Sequence, residues 1–161
     1  MPDGSPRSVT RTWTSNTKEP VERQVYLLLQ HISGELIYEL SSLLKPAGIT
    51  PEQYQVLRIL NETRAGGVPL NQIAERSPAG DPDITRLIDR LEERSLAKRE
   101  RDTVDRRVII ARITTDGRRL VGKLEKQVEA LHERQLAALG NQGLTELKKL
   151  LQRVARGAPA I

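Results

Sequence analysis

The chain has 161 residues, 26 basic against 21 acidic side chains for a net charge of +5, 37% hydrophobic residues and no cysteine. The missing thiols exclude disulfides, cysteine metal centres, thiol nucleophiles and a thiol-oxidation switch together. No apolar run approaches the roughly 20 residues of a membrane span, the first nineteen residues lack a signal-peptide core, and a pI near 9.8 asks for an anionic partner, so a cytoplasmic protein without membrane contact is expected.

One domain, or one small domain within a larger intertwined unit, fits this length. Phe is absent and the aromatic residues are Trp13, Tyr26, Tyr38 and Tyr54. The core must therefore come from Leu, Ile, Val and Ala, and a second copy could supply part of the buried area. Residues 1–19 are rich in Ser, Thr, Arg and Pro without periodicity and read as a flexible tail. Within it, Arg7 and Arg11 more simply belong to an unspecific tail than to a phosphate contact.

Residues 21–44 predict a helix. Val25, Leu28, Leu29, Ile32, Leu36, Leu40, Leu43 and Leu44 form one broad stripe, which Pro46 and Gly48 end. His31 and Tyr38 within it are expected to pack half-buried. Thr50-Pro51-Glu52-Gln53 is a helix start with a capping box, and Tyr54, Leu57, Ile59 and Leu60 follow as apolar positions. Residues 64–67 read as a turn, and residues 70–76 as a short helix that turns Leu70, Ile73 and Ala74 inward. Residues 77–80 break that helix. The next one starts at Asp81-Pro82 and buries Ile84, Leu87, Ile88 and Leu91 at helical spacing. Two short helices about a tight turn make a helix-turn-helix.

After Ser95 the pattern turns strand-like over residues 96–101 and 107–113, with residues 102–106 as a polar hairpin loop. A helix start follows at Thr114, with Leu120, Val121, Leu124, Val128, Leu131, Leu136 and Leu139 at helical spacing to about Gly140. Gly140, Asn141 and Gly143 mark a break before a last helix carrying Leu144, Leu147, Leu150, Leu151 and Val154. The wide stripes of the terminal helices are expected to pack on each other and on a second copy.

Charge is concentrated. Residues 86–119 hold eleven Lys/Arg and seven Asp/Glu, a surplus of +4 out of the chain's +5. A helix followed by a hairpin tipped with arginines and carrying most of the positive excess outlines a winged-helix DNA reader. The competing reading is a helical protein-interaction module with an incidental basic face. An enzyme is not expected: His31 and His132 are the histidines, there is no phosphate-cradling Gly loop, and capping or hairpin geometry explains the carboxylate pairs Asp81/Asp83 and Asp102/Asp105. No cofactor and no metal are expected.

Asp105-Arg106-Arg107, the strand that follows, and Ile113-Thr114-Thr115-Asp116-Gly117 are similar to the wing signature of MarR (multiple antibiotic resistance regulator) winged-helix transcription factors. Gly48-Ile49-Thr50-Pro51 and the segment from Ile84 to Leu91 support the resemblance, which spans residues 21–156. Ser95 departs from the pattern, since relatives usually have Gly there, and Pro69 stands where a capping Ser or Thr is common. The resemblance implies a mainly α fold with a small β-hairpin wing, a winged helix-turn-helix with long terminal dimerisation helices. Residues 20–47 and 115–158 would form the helical dimerisation region and residues 48–114 the DNA-binding lobe. It further implies a homodimer on a pseudo-palindromic operator in double-stranded DNA, with many members being repressors released by small aromatic or phenolic anions.

The recognition helix would then reach base edges with Thr85 and Arg86, backed by Asp83 and Arg90. An arginine can bond guanine bidentately, worth about 1–3 kcal/mol of discrimination. Asp83 reads equally well as a carboxylate favouring the helix N-terminus. In the wing, Asp105 and Arg107 would share one side of an extended segment, with Asp105 aiming the Arg107 guanidinium into a narrow minor groove. Arg106, Arg99 and Arg101 are expected at phosphates.

Overall fold

The computed structural model describes residues 18–63, 67–77, 83–103 and 105–157. Nearly all of the expected tail, Arg7 and Arg11 included, lies outside them, as do the caps Asp81 and Pro82 and the turn at residues 64–66. The elements are α1 (Val21–Leu44), α2 (Pro51–Glu62), β1 (Val68–Pro69), α3 (Leu70–Arg76), α4 (Ile84–Glu93), β2 (Ala97–Arg101), β3 (Ile109–Ile113), α5 (Thr115–Leu136) and α6 (Gly140–Gly157). This is a mainly α winged helix-turn-helix whose small antiparallel sheet has the order β1-β3-β2.

The chain divides after Glu35 into two compact units. In the first, the N-terminal part of α1 leaves Val21, Val25, Tyr26, Leu29 and Ile32 exposed. Half-buried His31 meets Glu35 one turn on at 3.6 Å. The second unit holds the core. Thr50 and Gln53 form the expected reciprocal capping box at 3.3 and 3.0 Å, a device worth about 1 kcal/mol. It aims α2 through the centre, where Tyr54, Val56, Leu57, Ile59 and Leu60 are buried against α3, α4, α5 and β3. Burial pushes the Tyr54 phenol above its ordinary pKa, so it stays neutral there.

The hairpin pairs Ala97 with Ile113 through Arg101 with Ile109. Strand β1 adds Val68 and Pro69 opposite Ala111 and Ile110. This third strand has no sequence signal: two residues cannot show a period, and Pro lowers any strand reading except at an edge, where it sits. Pro69 also stands at the N-cap of α3 and makes no side-chain capping bond. The strands are shorter than expected, because Leu96 is buried ahead of β2 and Arg107 and Val108 belong to the turn.

At the base of the hairpin the chain is pinched. The Thr114 hydroxyl donates to the carbonyls of Ser95 (2.7 Å) and Leu96 (3.1 Å) and accepts the Gly117 N–H at 3.0 Å. The Thr114 N–H also donates to Leu96 O at 3.1 Å. A Cβ on Gly117 would stand 2.1 Å from that carbonyl oxygen, so α5 begins in direct contact with backbone. Ser95 adopts φ +56 to end α4, a left-handed closure that helices usually give to Gly.

Helix α5 buries Val121, Leu124, Val128 and Leu131. Near its end Gln135 donates to the Leu36 carbonyl at 3.3 Å. The expected break falls earlier than the sequence implied. A 3-10 turn at Ala137–Leu139 and Gly140 at φ +58 redirect the chain, after which Asn141 and Gly143 are helical inside α6. Helix α6 buries none of its residues, and Leu150, Leu151 and Val154 are exposed. Tyr38 is 73% exposed, contrary to the half-buried packing expected of it, because it lies on the α1 face that points away from the core. No described helix is long and apolar enough to cross a membrane.

Two substitutions test the pinch. Ser95→Gly should stabilise the protein by about 0.5–1 kcal/mol, removing the left-handed penalty at some cost in chain entropy. Gly117→Ala should destabilise it by about 2 kcal/mol or more, since its Cβ meets backbone that cannot yield. Urea unfolding of both variants checks the pair, and opposite or equal shifts would refute this account of the joint.

Candidate nucleic-acid interface

Helix α4 turns Ile84, Ile88 and Leu91 into the core and leaves Thr85, Arg86 and Arg90 exposed along the other side. Asp83 occupies the N-cap position but makes no side-chain capping bond. Its carboxylate instead meets the Arg86 guanidinium at 3.1 Å. That bond restrains an otherwise mobile side chain at the exposed start of the helix.

The tip of the hairpin is organised by aspartates. Asp105 accepts the Arg107 backbone N–H at 2.9 Å, and the Val108 N–H closes a turn on the Asp105 carbonyl at 2.9 Å. Asp102 Oδ1 accepts the Asp105 N–H at 3.4 Å. The Asp105 carboxylate therefore fixes Arg107 through its backbone. The guanidinium contact that the sequence favoured is absent among the described residues, because residues 105–108 form a turn and the alternation of a strand does not apply.

The eleven basic residues of the 86–119 stretch fall into two groups. Lys98 and Arg112 both bind Glu100, the latter at 2.9 Å, and together they hold its carboxyl below the usual carboxylate range, Lys98 more strongly. Arg119 pairs with Asp116 at 2.8 Å. Arg99 meets Asp89 at 2.6 Å and Glu92 at 2.7 Å. Arg94 donates to the carbonyls of Gly48 and Ala47, the latter at 2.9 Å, tying the end of α4 to the turn before α2.

The second group is Arg90, Arg101, Arg106, Arg107 and Arg118. All are exposed, and none has a carboxylate partner among the described residues. Arg101 and Arg106, with Asp102 and Thr103, also line a polar cleft of about 520 Å³ at the wing. So the structure brings Asp83 and Arg86 together and joins Asp105 to the Arg107 backbone. It leaves Thr85, Arg90, Arg101 and Arg106 open to solvent and occupies Arg99.

Sequence reasoning missed the roles of Arg94, Asp89, Glu92 and Arg118. Nothing local points from Arg94 to carbonyls 46 residues away. Asp89 and Glu92 did carry a signal, being acids at i,i+3 on a helix otherwise read as anion-facing. Such a pair needs a cation beside it.

A second concavity, about 580 Å³, lies where the end of α1 meets the start of α2, lined by Tyr38, Ser41, Ser42, Lys45, Ile49 and Thr50 among others. It combines an aromatic ring, hydroxyls and an exposed ammonium, a mixture of the kind that orients small ligands.

The MarR family model matches residues 49–109. A MarR transcription factor from Planctomyces limnophilus is 34% identical, with a TM-score of 0.65 over 83% of this chain and 97% of that one. CouR from Rhodococcus jostii RHA1, solved bound to p-coumaroyl-CoA, is 27% identical, with a TM-score of 0.74 over 89% of this chain and 99% of its own. The transcriptional repressor MdtR of Bacillus subtilis (strain 168) is 28% identical over 83% of this chain and 85% of that protein.

The two groups of cations should respond differently to truncation. Arg107→Ala should leave stability within about 0.5 kcal/mol of wild type, as expected for an unpaired surface side chain. Glu92→Ala should cost about 1 kcal/mol or more, since it leaves a guanidinium and a backbone N–H short of an acceptor. Thermal melts of both, at one salt concentration, decide the matter, and equal melting points would contradict the division.

Proposed function

Because the chain belongs to the MarR family of transcriptional regulators, we propose that it is a homodimeric repressor that grips a pseudo-palindromic operator in double-stranded DNA. Five exposed arginines without carboxylate partners, distributed over α4, the wing and the start of α5, are the observation that carries this reading. In it, Thr85, Arg86 and Arg90 face the major groove, with Asp83 aiming Arg86. Arg107, its backbone set by Asp105, enters the minor groove, and Arg101 and Arg106 meet phosphates.

Residues 48–114 act as the DNA-binding lobe, and residues 20–47 with 115–158 as the dimerisation region. The apolar positions left exposed on α1 and on α6 support pairing, since large apolar surface of this kind on a lone chain asks for cover. The repressor role follows the named role of the Bacillus relative. For release, the cleft beside Tyr38 and Lys45 suits a small aromatic or phenolic anion, with ring against ring and carboxylate against ammonium. CouR, solved bound to p-coumaroyl-CoA, supports a phenolic ring in the ligand.

Selection of duplexes from a random pool, followed by anisotropy titration against random duplex, tests the reading. A preferred sequence of two related half-sites is expected. Arg107→Ala should weaken binding to it about tenfold, roughly 1.4 kcal/mol. Affinity should also fall steeply between 50 and 200 mM salt, with a log–log slope of several phosphate contacts. Equal affinity for random duplex would instead favour a protein-interaction module. Sedimentation equilibrium at micromolar concentration should give twice the chain mass, and a strictly monomeric chain would refute the dimer.

A further inference from the structure

We propose that Arg99 is a positioning residue that sets where the wing stands relative to α4, acting through Asp89 and Glu92 and making no phosphate contact of its own. This rests on the DNA-binding reading of the wing. Three bonds converge on the residue. Its backbone N–H donates to Glu92 Oε1 at 2.6 Å and its Nε to Glu92 Oε2 at 2.7 Å, while its Nη1 lies 2.6 Å from Asp89 Oδ1.

Asp89 and Glu92 are three residues apart and so share a face of α4. That face is turned toward β2. The three side chains are about one-third exposed, at 33%, 41% and 29%. Half-withdrawn charges with fixed partners on both sides are poor phosphate ligands, because a phosphate would have to displace two carboxylates. They make a good strut. Across the hairpin Arg99 pairs with Ala111, which is fully buried and also pairs with Val68 of β1. Glu100, next along, binds Lys98 on its own strand and Arg112 on the other. A hairpin stiffened this way transmits the angle set at Arg99 to its tip.

The leverage is large. The tip lies four to five residues beyond Arg99, or roughly 15 Å at about 3.3 Å per residue. A rotation of about 20° at the strut would move the tip by about 5 Å, close to the roughly 6 Å width of the minor groove. A guanidinium aimed at that groove would then miss it.

The experiment has one arm without DNA and one with it. The chain has no cysteine, so Glu93→Cys and Thr103→Cys can carry spin labels, measured by double electron–electron resonance in protein diluted with unlabelled chain. A single narrow distance distribution is expected, and Arg99→Ala and Arg99→Lys should both broaden or shift it by several ångströms. A distribution unchanged in both variants overturns the proposal.

The second arm uses a duplex selected by the wild-type protein. Arg99→Ala should weaken binding about tenfold alone but less than about twofold in an Arg107→Ala background, the non-additivity expected of a residue that works through the wing. Arg99→Lys should bind nearly as weakly as Arg99→Ala, since one ammonium cannot span both carboxylates, and as the milder change it keeps the test open if the alanine variant fails to fold. Additive losses, with Arg99→Lys near wild type, would mark a direct phosphate contact and overturn the proposal. If the wild-type protein selects no duplex, the DNA-binding reading fails, while the label distances still decide the strut.

Discussion

Three elements of the winged lobe meet at one carbonyl. Leu96 O accepts both the N–H and the hydroxyl of Thr114, and the start of α5 lies against it through Gly117, where a methyl group has no room. One residue earlier, Ser95 turns left-handed to end α4. The Leu96 N–H, in turn, donates to the Leu91 carbonyl at 2.8 Å. The end of α4, the foot of the wing and the first turn of α5 are therefore fixed by one small set of hydrogen bonds. Backbone carbonyls and a hydroxyl make this joint almost free of titratable groups, so its geometry is insensitive to pH in the ordinary range.

The charge pattern has a division of labour that net charge conceals. Six of the eleven cations in residues 86–119 have carboxylate or carbonyl partners: Arg94, Lys98, Arg99, Arg112 and Arg119 bind within the lobe, while Arg86 is held by Asp83 on the exposed face of α4. The remaining five arginines are exposed and have no carboxylate partner among the described residues. The acids of this stretch are therefore not a defect in a basic surface. Asp105 restrains the backbone of Arg107, as Asp83 just ahead of the stretch restrains the Arg86 side chain, and Asp89, Glu92 and Glu100 bind cations of the hairpin. Removing such an acid would raise net charge yet loosen the geometry that makes the charge useful. Long-range attraction follows net charge, while docking follows geometry.

Much of this was legible in the residues. The bounds of α1 and α3 and the capping box of α2 follow from stripe, cap and breaker, all of which are local signals. The wing was legible because its strands are flanked by a polar loop and because the Asp105-Arg106-Arg107 to Gly117 pattern is specific. What escaped depends on partners far apart in sequence. Strand β1 exists only because β3 offers it an edge. Arg94 finds the carbonyls of Ala47 and Gly48 across the fold. The ion pairs of Arg99 escaped for the same reason: a basic residue in a basic hairpin looks free until the acids of α4 are seen beside it. The turn at residues 105–108 defeated an argument from strand alternation, since the alternation stops where the ladder ends. Gly143 was read as a breaker, although the redirection is complete at Gly140.

Fastening the hairpin at its foot also makes its far end replaceable. Among the described residues of the tip, 102, 103 and 105–108, none is buried, and Asp102, Asp105, Arg107 and Val108 bond to one another. Lengthening such a loop costs mainly closure entropy, about 0.6 kcal/mol for each doubling. A fold held this way can exchange one fingertip for another, longer, shorter or differently charged, while the hand that carries it stays the same.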